Sequence, residues 1–269
     1  MTFSETAGTD LLITASGEDA QQIPRDKSNL VFQAMGHVFD RVGGEPAGLH
    51  IQQENEIPIA SGLGSSSSAV LAGMFGANEL TGGLLSREEI LQLATDLEGH
   101  PDNVAPAVYG GLVLGVQGPE GLLTERIKIP ALKVLVALPE IALLTDHARE
   151  VLPQTVPLAD AIFNSSRVGL LIRSLESADY DRLSDAMQDR LHQPYRIPLI
   201  TGMAEAMQAA LDSGAAGVAL SGAGPSLIAF ADEGHDAIGT AVSTAFSHEG
   251  IGSRLWCLSV ENRGVTIHK

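Results

Sequence analysis

A single cysteine, Cys257, stands in 269 residues, so no internal disulfide can form, and a reducing compartment such as the cytoplasm is expected. Basic residues are scarce too: 16 Lys and Arg face 33 Asp and Glu, and the net charge of −17 opposes nucleic acid and anionic lipid. Apolar runs stop far short of the roughly 20 residues that a membrane span needs, so no transmembrane helix is expected. The start, MTFSETAGTDLL, has no basic region ahead of an apolar stretch, and no secretory signal is expected. One absence is local. No lysine falls between Lys27 and Lys128, which excludes the G-x-x-x-x-G-K-[ST] phosphate loop there. The remainder, 44% hydrophobic and 18% charged, is ordinary for a globular chain, and 28.1 kDa suits two modest domains with separate cores.

The stretch PIASGLGSSSSAVLAGMFGA, residues 58–77, organises the rest. Gly62 and Gly64 suit a tight turn, Ser65, Ser66, Ser67 and Ser68 supply hydroxyls, and the small apolar run behind them reads as a buried helix. A helix start leaves amides unpaired, so this turn can aim N–H groups and hydroxyls at one anion, for which phosphate is the obvious guest. Without a nearby lysine, Mg²⁺ and arginine would neutralise its charge. The same composition also suits a flexible linker or a plain helix cap. Ala69, Ala72, Gly73, Gly76 and Ala77 speak against the linker, because small side chains on one flank serve close approach to a neighbouring backbone.

Ahead of that stretch, residues 10–16 read as a strand. Next comes a helix capped by Ser28, with Leu30, Val31, Ala34, Met35, Val38, Phe39 and Val42 at helical spacing and Gly43-Gly44 at its end. Alternation at 49–52 predicts another strand. Ser86 with Glu89 predicts a capping box for a helix ending at Gly99. The polar turn EGHPDNVAP, 98–106, then puts Glu98, Asp102 and Asn103 within six positions beside two prolines. Such a group could hold a metal or orient a hydroxyl, and it equally suits a turn whose Asp and Asn cap backbone amides. LVLGV, 126–130 and 132–139 are strand-like. Helices are expected at 145–152, 158–176, 179–191 and 198–211, with a turn at 192–196, and Arg149 and Arg196 taken singly read as solvated. Strands at 217–220 and 227–230 flank SGAGPS, and a helix near 237–246 and a strand near 255–260 close a β-α-β-type second domain.

Three separated motifs coincide with a known pattern. PIASGLGSSSSA resembles the second motif of the GHMP kinase superfamily, P-x-x-x-G-L-G-S-S-[SA], whose loop wraps the ATP phosphates. SGAGPS, 221–226, resembles the third motif, a glycine loop that packs against the phosphate site. EGHPDNVAPAVYGG is similar to a segment typical of homoserine kinases, and TDHAREVLP and HQPYRIPLI are similar to segments that carry their substrate-binding arginines. The five segments stand in order along nearly the whole chain. The family's first motif, P-[AC]-T-S-A-N-L-G-x-G-F-D, has no counterpart, and the expectation is a start truncated by about a strand, a loop and a strand.

The resemblance implies an α+β, two-domain GHMP kinase architecture. Residues 1–128 would form a ribosomal-protein-S5-like α/β domain, truncated at its start, and residues 129–269 a ferredoxin-like α+β domain. It implies transfer of the γ-phosphoryl of ATP to the hydroxyl of L-homoserine, in threonine biosynthesis. ATP would lie against Pro58, Ile59, Ala60, Ser61, Gly62, Leu63, Gly64, Ser65, Ser66, Ser67, Ser68, Gly222 and Gly224, with Mg²⁺ on Ser66 and Glu98 and Asp96 as the rival for the Glu98 role. Asn103 would hydrogen-bond the attacking hydroxyl, Thr145 would sit near the phosphates, Asp102 would help hold the amino acid, and Arg149 and Arg196 would bind its carboxylate. A homodimer is reasonable by the same resemblance. Two other readings stay open: a GHMP kinase for mevalonate-like or sugar substrates, and a binding protein impaired by the missing first motif.

Overall fold

The structure, a computed structural model, describes residues 1–141 and 145–268, and the side chains of 145–147 lie outside that description. Contacts group Met1–Ile59, Gly64–Arg126 and the chain from Asn262 on into one unit, and Ala60–Leu63 with Ile127–Glu261 into another.

In the first unit, β1 (Thr2–Glu5) and β2 (Leu11–Gly17) are followed by α1 (Leu30–Val42) and β3 (Leu49–Asn55). The strand order is β1-β3-β2: β3 is antiparallel to β1, with Thr2 opposite Gln52, and parallel to β2, with Leu11 opposite Leu49. The parallel pair needs a crossover, and α1 supplies it. Asn29, not Ser28, caps α1. Its side-chain oxygen accepts from the amides of Val31 and Phe32, while the Ser28 hydroxyl is engaged by Asp26. Gln53 of β3 also donates to that oxygen, so this buried cap ties helix to sheet.

Helices α2 (Ser65–Leu80), α3 (Arg87–Glu98) and α4 (Val104–Tyr109) and the hairpin β4 (Leu112–Gly118) and β5 (Gly121–Ile127) complete this unit. Of the strand expected at 126–130, only Arg126 and Ile127 are extended, as the tail of β5, which starts at Gly121 and pairs with β4, while residues 128–130 belong to no strand. Helix α2 buries residues all round, as a central helix does. A Cβ at Gly73 would strike the Val31 carbonyl of α1 and lie 3.1 Å from the Ala34 Cβ, and one at Gly76 would overlap the Phe3 ring. The small flank of α2 therefore admits α1 and β1. Met35, Val38, Ile51, Leu71, Met74 and Ile90 fill the core between them. Helix α3 carries the capping box, with the Ser86 amide 2.8 Å from Glu89 and the Glu89 amide 3.2 Å from Ser86, and it ends on left-handed Gly99.

The second unit runs β6 (Lys133–Pro139), α5 (Thr145–Glu150), α6 (Leu158–Ser177), α7 (Leu183–Ala186), α8 (Gln193–Arg196), α9 (Met203–Asp212), β7 (Gly217–Leu220), β8 (Leu227–Phe230), α10 (His235–His248) and β9 (Ser253–Ser259). Its antiparallel sheet has the order β7-β8-β6-β9, the arrangement of a ferredoxin-like β-α-β-β-α-β unit. Leu135, Leu227, Ile238, Val242 and Phe246 form its core with Met203 of α9. The helix expected at 179–191 is broken into a 3₁₀ turn and the single turn of α7, because the Asp189 carboxylate takes the next backbone amides in place of helix carbonyls. The expected turn at 192–196 contains α8. Helix α9 begins at Met203 rather than Pro198, after Gly202 in the left-handed region at φ 77°.

Candidate active site

Asparagine and aspartate side chains hold the approach to the glycine loop. Asn55 Nδ2 donates to the carbonyls of Glu18 at 2.8 Å and Ile57 at 2.9 Å, and the Ile59 amide donates to Asp19 Oδ2 at 2.9 Å, next to buried Pro58. The backbone then takes positive φ at every second residue: Ala60 at 53°, Gly62 at 77° and Gly64 at 79°. Alternation of this kind curls a loop so that successive amides face one side. Ala60 pays local strain, a feature that concentrates at functional loops. Gly62 has no alternative, since a Cβ there would meet the Ser221 carbonyl and lie 2.8 Å from the Gly224 carbonyl oxygen. Ser221 donates its hydroxyl to the Gly62 carbonyl at 2.8 Å, and the Ser226 amide donates to the Ser61 carbonyl at 3.2 Å. Two glycine loops therefore brace each other, with Gly222 and Gly224 both at positive φ. Leu63 bonds back to the Ser61 hydroxyl through its amide.

Gly64 caps α2 without any side-chain hydrogen bond, and the first turn holds no acidic residue. Among the described residues, nothing takes the positive end of the helix dipole or the first-turn amides of Ser65, Ser66 and Ser67, which suits an external acceptor, while Ser68 closes the first intrahelical bond to Gly64. At the other end of the adjacent α3, Glu98 accepts from the hydroxyls of Ser66 at 2.8 Å and Ser67 at 3.0 Å. Asp96 turns elsewhere, accepting from Gln92 Nε2 at 2.7 Å. No cluster of three or more His, Cys, Asp or Glu exists among the described residues. One carboxylate and one hydroxyl are nevertheless an all-oxygen donor pair of the kind that suits a hydrated hard cation completed by phosphate oxygens.

Beyond Gly99, His100 Nδ1 faces Asp102 Oδ1 at 2.5 Å, and Asp102 is 75% exposed. Asn103 occupies the cap position of α4, but its side chain makes no cap hydrogen bond and is exposed. The amide is therefore not engaged by the turn that holds it.

In the second unit, Arg149 lies on the surface one residue before the end of α5, and Arg196 ends α8 half-buried. Arg196 Nε donates to the Ala148 carbonyl at 2.9 Å, which joins α8 to α5. Burial and then the charge of Arg149 lower the pKa of Arg196, so two like charges stand close enough to disfavour each other. An anion would relieve that. Thr145 opens α5, but its side chain lies outside the described residues. The sequence reading missed Asp189, whose carboxylate accepts the amides of Leu191 and His192 at 2.9 Å, that of Gln193, and the Asn164 side chain. Those bonds outweigh its burial and hold its pKa low. Only the failure of the 179–191 periodicity ahead of Pro194 could have signalled it.

The N-terminal domain of the GHMP kinases matches residues 29–111, and their C-terminal domain matches residues 171–248. The homoserine kinase of Moorella thermoacetica is 42% identical over 266 residues, covering 98% of this chain and 89% of that protein. The chain belongs to the homoserine kinase family of the GHMP kinases. A crystal structure of homoserine kinase from Cytophaga hutchinsonii superposes with a TM-score of 0.87 at 32% identity, over 97% of this chain and 86% of that one. Mevalonate kinase of L. major, at 20% identity and a TM-score of 0.70 over 97% and 85% of the two chains, shares the fold alone. As a GHMP kinase the chain is an ATP-dependent phosphotransferase. For such an enzyme an uncapped helix start behind a braced glycine loop is chemically apt, because phosphoryl transfer demands positioning and charge neutralisation more than a strong base. No helix among the described residues is long and apolar enough to cross a membrane.

Proposed function

We propose that this chain transfers the γ-phosphoryl group of ATP to the side-chain hydroxyl of L-homoserine, giving O-phospho-L-homoserine in cytoplasmic threonine biosynthesis. The observation that carries the reading is the bonding of Glu98 to Ser66 and Ser67 at the open start of α2, in a member of the homoserine kinase family. Amides from Gly62 to Ser66 bind the β- and γ-phosphates. Ser66 and Glu98 would hold Mg²⁺, which would supply positive charge to offset that of the phosphates. Asn103, whose amide is not engaged as a helix cap, hydrogen-bonds the attacking hydroxyl, and Asp102 helps hold the amino acid. Arg149 and Arg196 bind its carboxylate, for which two planar forks of donors are suited.

Purified protein with Mg-ATP and, in separate reactions, L-homoserine, L-serine, L-threonine or mevalonate tests the reading by coupled ADP release and ³¹P NMR of the product. Rapid ADP release with a phosphomonoester on homoserine alone is expected. Turnover with mevalonate and none with homoserine would replace the proposed substrate, and no uptake of Mg-ATP would overturn the kinase reading.

A further inference from the structure

His192 is not needed for the chemistry just described, yet it stands between the two groups that shape the Arg196 turn. Its ring Nδ1 lies 3.4 Å from Arg196 Nη1, and its Nε2 lies 3.5 Å from Asp189 Oδ2. A guanidinium offers only donors, so the nitrogen facing it must be the acceptor. The ring proton then sits on Nε2, against the carboxylate. Asp189 is itself immobile: its side chain is 6% exposed and bonded to three successive backbone amides and to Asn164. A line of contacts therefore runs from a fixed carboxylate through the imidazole to Arg196, whose Nε is tied to the Ala148 carbonyl beside Arg149. The guanidinium is gripped at two points, which selects its direction.

The geometry points to His192 as a positioning residue: as a neutral acceptor backed by Asp189 it aims Arg196 at the substrate carboxylate, and protonation of the ring withdraws that acceptor and weakens homoserine binding. The inference rests on the carboxylate-binding role proposed for Arg196. Asp189 and Arg196 are the charged groups acting on His192 among the described residues, and Arg149 acts on Arg196 in turn. Burial, together with Arg196, lowers the His192 pKa despite the opposing pull of Asp189, so the ring is neutral at physiological pH.

His192→Asn keeps an acceptor at the δ position and cannot titrate, whereas His192→Leu fills the space without one. At about pH 8, well above an ordinary imidazole pKa, His192→Leu is expected to raise KM for homoserine about tenfold, the scale of one hydrogen bond to a charged group. Its kcat and KM for ATP should stay near wild type, and His192→Asn should restore KM. As pH falls below the ordinary imidazole value of about 6.5, KM for homoserine should rise in the wild type once the ring takes up its proton, and stay flat in His192→Asn. The terminal phosphate of ATP also titrates near pH 6, so ATP is kept saturating and the variants are compared with each other. With 2-aminobutane-1,4-diol, which has no carboxylate, the three proteins should have equal KM values. A wild-type KM in His192→Leu, or a wild-type acid rise in His192→Asn, overturns the inference while leaving the kinase reading intact. Failure of the wild type to phosphorylate homoserine overturns both.

Discussion

Arg149 and Arg196 differ in how far their surroundings prepare them. Arg196 is half-buried and donates from its Nε to the Ala148 carbonyl, and Arg149 is exposed near the end of α5. Replacing either by Ala is expected to raise KM for homoserine by about 10- to 100-fold, the loss of a charge-assisted hydrogen bond. KM for ATP should change little, and steady-state kinetics with each substrate varied separately checks this. An unaltered homoserine KM removes the arginine from the site. The Ser66 hydroxyl and the Glu98 carboxylate are the pair proposed to serve the other substrate. Ser66→Ala and Glu98→Gln should each lower kcat/KM for Mg-ATP, by about 10²-fold for the carboxylate, and shift the Mg²⁺ dependence to higher concentration. A titration of activity against total magnesium gives the answer. Which of Asp96 and Glu98 meets the serines could not be read from spacing, since both end the same helix. The structure separates them because Gln92, one turn before Asp96, takes its carboxylate.

Helices were legible where their ends are local chemistry. The capping box of Ser86 and Glu89 and the stop at Gly99 involve residues within four positions of each other, so motif and structure agree. The cap of α1 was misread by one residue because the rivalry was settled by Gln53, 24 positions away, and by Asp26 holding Ser28. Glycines inside helices divide in the same way. Gly36 in α1 has nothing within 4 Å of an added Cβ, while Gly73 in α2 faces the backbone of α1. Helix propensity alone favours Ala over Gly by about 1 kcal/mol at both sites. Gly36→Ala is therefore expected to stabilise by about that amount. Gly73→Ala should destabilise by about 1–3 kcal/mol, because overpacking against a carbonyl outweighs propensity. Urea unfolding of the two variants beside the wild type measures both, and equal shifts would refute the close approach of α1 and α2.

The whole molecule responds to charge. With 16 basic against 33 acidic residues, self-repulsion opposes the compact state, and salt that shortens the Debye length from about 30 Å to about 8 Å should raise the thermal midpoint. A midpoint that falls or stays level between low and physiological salt would refute this. Acid should act in two stages. His192 has a lowered pKa, so below the ordinary imidazole value of about 6.5 the unfolded chain binds the extra proton and stability declines. Asp189 also has a lowered pKa: it stabilises above the ordinary carboxylate value of about 3.9, and that contribution is lost as pH falls toward its folded value. Melting curves across that range should show His192→Asn losing the upper step and Asp189→Asn the lower.

Residue order by itself determined the family, the glycine-serine turn ahead of a buried helix and most strand positions, because turn chemistry, capping and periodicity act between residues a few places apart. The resemblance implied that Ser66 and Glu98 and the two glycine loops come together, but tertiary structure decided the bonds themselves: Ser221 braces Gly62 from 159 positions away, Glu98 reaches Ser66 across 32, and Arg196 holds Ala148 across 48. Those contacts depend on how the chain closes on itself. Hydrogen bonds select them only after packing has brought the partners within 3 Å.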